Sequence, residues 1–129
     1  MKIAVIIVRT LMGLLFLFAS VAYFLDLAPP PEDMDADLRT FNEGLDAAGY
    51  LMPLVKSIEL LCALAFLSGR FVPLAVLALL PVSVNILLVH AFLAPEGLPV
   101  AVFVIAGNLF LIFACRKHYR NLPAARTRL

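Results

Sequence analysis

Polar side chains interrupt otherwise apolar sequence at Arg9, Tyr23, Lys56, Glu59, Asn85, His90 and Asn108. Charged groups are costly where water cannot reach them, so in such surroundings they mark a binding site or a buried pair. Lys56 and Glu59 are spaced i, i+3, which makes them neighbours on one helix face, with Cys62 one turn further on. An ammonium beside a carboxylate either forms a structural ion pair or helps to hold a polar ligand between helices. Asn85 and Asn108 each offer donors and an acceptor, suited equally to a ligand and to hydrogen bonds between helices. These residues are candidates for ligand binding, and none is assigned a catalytic role.

Other chemistries lack their residues. The cysteines, Cys62 and Cys115, form neither a CxxC nor a zinc spacing and read as small apolar side chains. The histidines, His90 and His118, fall at opposite ends of the expected helices, so a metal or haem site would want for ligands. No Ser-His-Asp arrangement, phosphate-binding loop or GxGxxG is present.

Composition sets the environment for these groups. The chain is 64% hydrophobic and 15% charged, with a mean hydropathy of +1.03. A water-soluble domain is about half apolar and about a quarter charged. The surplus predicts an integral membrane protein. The net charge of +1, with no basic run interleaved with aromatics, gives no reason to expect nucleic acid as a partner.

A helix needs about 20 apolar residues to cross the hydrocarbon core. Four stretches qualify, 4–25, 51–68, 71–93 and 98–115, within one transmembrane domain covering 1–129. Gly69-Arg70 and Ala94-Pro95-Glu96-Gly97 are tight connections, which force antiparallel neighbours. The expected fold is all-α, an integral membrane four-helix bundle. Lys2, Arg70, Arg116, Lys117, Arg120, Arg126 and Arg128 share one side if there are four crossings, while most acidic residues fall on the other. The basic side is expected in the cytoplasm together with both termini. A signal peptide cut after Ser20-Val21-Ala22 is the competing reading. It is disfavoured by Arg9 within the apolar run and by Tyr23-Phe24-Leu25 continuing the run.

The one long connection, 27–50, lies outside. Pro29-Pro30-Pro31 ends the first span, and Asp33 to Ala48 reads as a short amphipathic helix with Met34, Leu38, Phe41 and Leu45 on one face. It serves either as a lid or docking surface, or as an interfacial helix that covers its own apolar face.

Helix rise places Glu59 and Asn85 about 12 Å, and Asn108 about 15 Å, below the outer ends of their helices. Three spans thus contribute a polar group to one layer, predicting an outer-half pocket roofed by Tyr23, Lys56 and His90. By rotation alone Asn85 and His90 stand about 140° apart and should not face one spot. Arg9, Gly13, Phe16, Ser20 and Tyr23 share the expected inward face of the first span, although Arg9 is near enough to the inner end to snorkel.

Several of these segments resemble the DoxX family of small bacterial membrane proteins. They are the Arg9…Gly13 opening, Gly49-Tyr50, Ser68-Gly69-Arg70-Phe71-Val72-Pro73 after the Glu59 span, and above all residues 81–99 with Asn85-Ile86-Leu87-Leu88-Val89-His90. The resemblance implies a four-helix bundle in the bacterial cytoplasmic (inner) membrane. It matches Arg9, Glu59, Asn85 and His90 to family-typical polar positions. Some relatives are subunits of a thiosulfate:quinone oxidoreductase or the membrane partner in a redox-defence complex; distant eukaryotic ones look like assembly chaperones.

The leading expectation is therefore a non-catalytic membrane subunit or binding module of a redox-related complex. It would hold a quinone or lipid-like ligand, with a membrane or soluble redox protein as partner and homo-oligomerisation open. A scaffold acting through the acidic outer loop is the alternative. A small transporter built on Lys56 and Glu59 comes third, because four helices leave little room for two gates.

Overall fold

The computed structural model describes residues 1–27, 29, 31–123 and 125. Pro30, Arg126 and Arg128 of the sequence reading lie outside the described residues. Five α-helices make up the fold: α1 (Lys2–Phe24), α2 (Ala36–Ala47), α3 (Leu51–Ser68), α4 (Val72–Phe92) and α5 (Leu98–Ala114). Short 3-10 turns occupy Pro95–Gly97 and Arg116–Tyr119, and no strand occurs among the described residues. Four helices are long and apolar enough to cross a membrane, α1, α3, α4 and α5, the last extended by its preceding 3-10 turn.

These four close into a ring in the order α1, α3, α4, α5, each packed on the next and α5 returning to α1. Short connections make neighbours antiparallel. The start of α1 and the end of α5 meet at one end of the bundle, where Met1 and Lys2 border the same depression as Arg116 and Lys117. The Gly69-Arg70 turn belongs to that end. The opposite end carries α2 and the Pro95–Gly97 turn.

The core is a column of Met12 and Phe16 from α1, Ala63 and Phe66 from α3, Val76 and Leu79 from α4, and Val104 and Leu111 from α5. Leucines and phenylalanines such as Leu61, Leu64, Leu74, Leu88, Leu109 and Phe113 point outward and are exposed. Lipid tails are as apolar as these side chains, so the helices associate through close packing and polar contacts. Gly13 supplies such a contact: a Cβ there would come within 2.8 Å of Leu67 Cγ. Gly107 brings α5 nearly as close to α1: a Cβ there would stand 3.0 Å from Met12 Sδ.

The helix ends follow from their residues. Gly69 adopts φ +75°, the left-handed geometry that ends α3, and its N–H donates to the Ala65 carbonyl. Pro73 sits in the first turn of α4, where a missing N–H costs nothing. Asp35 caps α2, its carboxylate accepting from the Asp37 N–H at 3.2 Å. Met34, Leu38, Phe41 and Leu45 are half-buried, the apolar stripe that the spacing predicts, and α2 rests on α3.

Candidate functional site

Glu59 is turned away from the lipid, 3% exposed, and its carboxylate accepts from Lys56 Nζ at 3.0 Å. An ammonium has three donors, and among the described residues only Glu59 takes one. The i, i+3 spacing on α3 aims both groups at the C-terminal half of α4. There a cavity of about 340 Å³ lies along the α3–α4 seam. Met52, Val55, Lys56 and Glu59 form its α3 side; Pro81, Val82, Asn85, Ile86, Val89 and His90 form its α4 side. Leu45 reaches it from α2.

Asn85 is exposed toward this space, and its amide has no hydrogen-bond partner among the described residues. His90 Nδ1 lies 2.8 Å from the Ile86 carbonyl. A carbonyl only accepts, so Nδ1 donates, and in the neutral ring Nε2 is left as an acceptor. The ring's Cδ2–Nε2 edge occupies the space in which a Cβ on Gly97 would stand, which ties the imidazole to the α4–α5 turn.

Asn85 and His90 border one cavity, contrary to the rotation argument. Helical side chains lean toward the N-terminal end. His90 bends back a full turn to Ile86, which brings its imidazole to the cavity that Asn85 also lines. Pro81 is also inside α4 and cannot donate to Leu77, so the ladder is open at the cavity floor.

The remaining expected residues lie elsewhere. Asn108 is fully buried on the other side of α4: Ser83 Oγ donates to its Oδ1 at 2.7 Å, and its Nδ2 donates to the Val76 carbonyl at 3.1 Å. These bonds knit α5 to α4 and leave Asn108 away from the cavity lining. Ser83 was not legible as its partner, its only signal being a hydroxyl in an apolar span. Tyr23 is exposed at the end of α1, its ring edge-on to Phe24, so the roof is Leu45 and Met52 instead. Arg9 extends toward the α3–α4 turn, where its Nη1 would stand 2.8 Å from a Cβ on Gly69, and its buried Nε has no partner among the described residues. Ser20 is satisfied within its own helix by the Phe16 carbonyl at 2.7 Å.

Neither thiol is poised for chemistry. Cys62 is buried with Sγ 3.5 Å from the Ala75 carbonyl. Cys115 is buried just past the end of α5, beside Tyr119. The Tyr119 hydroxyl donates to the Pro73 carbonyl at 2.7 Å; burial, with Cys115 beside it, pushes it up to about 12. Among the described residues no group of three or more His, Cys, Asp or Glu is placed to hold a metal ion.

The cavity thus combines spare donors at Lys56 and Asn85, a carboxylate, and apolar walls from Val82, Ile86 and Val89. Such a lining suits a molecule with a carbonyl or hydroxyl head on an apolar body. No curated protein and no solved structure shows significant similarity to the chain. The DoxX profile matches residues 4–91, more than half of the sequence, from α1 through the cavity-bearing part of α4. This multi-pass membrane chain belongs to the DoxX family.

Proposed function

We propose that this protein is a non-catalytic membrane subunit or binding module, and that its outer-half cavity holds the polar head of a quinone or similar lipid-like molecule for a redox partner. The observation that carries the reading is the Lys56–Glu59 ion pair at 3.0 Å, opening onto a cavity of about 340 Å³ with unpaired donors. A quinone supplies carbonyl acceptors, which match the free N–H groups of Lys56 and Asn85; its chemistry is to accept and release electrons when bound. This chain's residues would position the ring and exclude water. Leu45 of α2 would cover the entrance.

The basic end, with Lys2, Arg70, Arg116 and Lys117, belongs in the cytoplasm under the positive-inside rule, which puts the cavity in the outer half of a bacterial inner membrane. Extraction in mild detergent followed by mass spectrometry of small molecules tests the assignment. A quinone should accompany the wild-type protein and be lost from Glu59→Gln. Reproducible absence from the wild type would overturn it.

One observation favours a second reading. Asp37, Glu43 and Asp46 on α2 are all exposed, with no ion-pair partner among the described residues. An acidic face held outside the membrane suits a scaffold that docks a basic protein. Photo-crosslinkers at these positions should then capture one specific partner in cells, whereas crosslinks to lipid alone would count against it.

A further inference from the structure

The α3–α4 seam carries a second hollow, in the inner half of the bundle, that the ligand cavity does not use. It has a volume of about 670 Å³ and runs from Ile58 down to the Ser68–Phe71 turn. Its floor is small, with Cys62, Ala65, Ala75 and Ala78, and its rims are the exposed Leu61 and Leu74. The one thiol in it is already turned to the Ala75 carbonyl. Polarity appears only at the inner end, where Ser68 and Arg70 stand at the mouth.

The dimensions and the charge point to one occupant. From Ile58 to the end of α3 at Ser68 the groove is about 15 Å long by helix rise, the depth of one leaflet of a hydrocarbon core about 30 Å thick. Among the described residues the Arg70 guanidinium has no partner; only its backbone N–H is used, donating to Ser68 Oγ at 3.3 Å. Arg9 approaches the same turn from inside the bundle, against Gly69. Two guanidinium groups therefore flank one turn with no carboxylate opposite them among the described residues. Phe71 is held at φ +58°, a strained conformation for a bulky residue, and the residue is 75% exposed at the groove's edge. A ring so placed gains contacts only from something outside the chain.

We infer that this groove is a binding site for an anionic phospholipid, one acyl chain lying over Cys62, Ala65 and Ala75 and its phosphate at Arg70. Basic residues between helix ends recognise anionic headgroups in this way. A neutral-headed lipid would fill the groove without meeting the charge, and a second copy of this chain would bring another Arg70 region of like sign. The inference rests on the membrane embedding and stands apart from the quinone proposal.

Native mass spectrometry of the whole protein, released from nanodiscs of phosphatidylglycerol and phosphatidylcholine with matched chains, tests it. The wild type should retain phosphatidylglycerol in preference. Arg70→Gln, at an exposed position, should cut that preference about fivefold, which is what one basic residue near a charged surface contributes. Ala65→Leu should displace both lipids by filling the floor, and melting curves of both variants establish that they fold. Equal retention of the two lipids by the wild type, an unchanged preference in Arg70→Gln, or a lipid-free dimer sealed across this groove would each overturn the inference.

Discussion

Two polar clusters flank α4, and they are built to opposite ends. On the α5 side, the Ser83 hydroxyl donates to Asn108, whose amide donates in turn to the Val76 carbonyl, a buried chain of two bonds centred on Asn108. On the α3 side, Lys56 and Glu59 satisfy each other only in part, while Asn85 stands unpaired at a cavity. Closed polarity holds helices together; polarity with donors to spare can hold something else. The difference separates membrane glue from a candidate binding site among residues of the same types.

The strongest way to break the comparison is to remove one charge. Lys56→Met leaves the nearly buried Glu59 carboxylate without its counter-ion and should destabilise the fold by about 3 kcal/mol in thermal or denaturant unfolding. Adding Glu59→Gln should recover most of that loss, since neither charge then remains. If the single variant is as stable as the wild type, the pair is not sheltered as its geometry states.

The next effect belongs to the closed cluster. Asn108→Leu strips the Ser83 hydroxyl of its acceptor and the Val76 carbonyl of a donor, and should cost about 1 kcal/mol. It should leave any cavity ligand in place. Asn85→Leu should do the reverse, leaving unfolding within about 0.5 kcal/mol of the wild type, as for a surface position, while weakening ligand retention. Swapped outcomes would mean that the two clusters have been assigned the wrong way round.

A pH-dependent effect lies at the end of the bundle that carries the termini. The Tyr119 proton is held more tightly in the fold than the ordinary value of 10.0, up to about 12. The folded state therefore binds more protons than the unfolded one across that window. Its contribution is complete below pH 10 and is lost as pH rises toward 12. Ultraviolet titration of phenolate should show a late tyrosine that vanishes in Tyr119→Phe.

Much of the architecture was readable from the chain because a bilayer imposes so few solutions. The apolar runs, the Gly69-Arg70 turn and the 3.6-residue stripe of Met34, Leu38, Phe41 and Leu45 each answer to one physical rule. The site was readable only in depth. Helix rise put Glu59, Asn85 and Asn108 in one layer, but rise says nothing about which way a residue faces. The α5 helix is apolar almost all round, so no stripe indicated that Asn108 turns to Ser83. Tyr23 was misplaced for the same reason, since the end of α1 does not reach the cavity. His90 was hidden by treating a side chain as a spoke, when the imidazole folds back to Ile86.

Everything proposed for the outer half depends on a small molecule occupying the cavity beside Lys56, Glu59 and Asn85. The direct measurement is mass spectrometry of whatever remains bound after mild extraction, on the wild type, Asn85→Leu and Asn108→Leu in parallel. A quinone-like molecule retained by the wild type and Asn108→Leu, and lost from Asn85→Leu, is the predicted result. Nothing bound to the wild type, or equal retention by all of them, would contradict it.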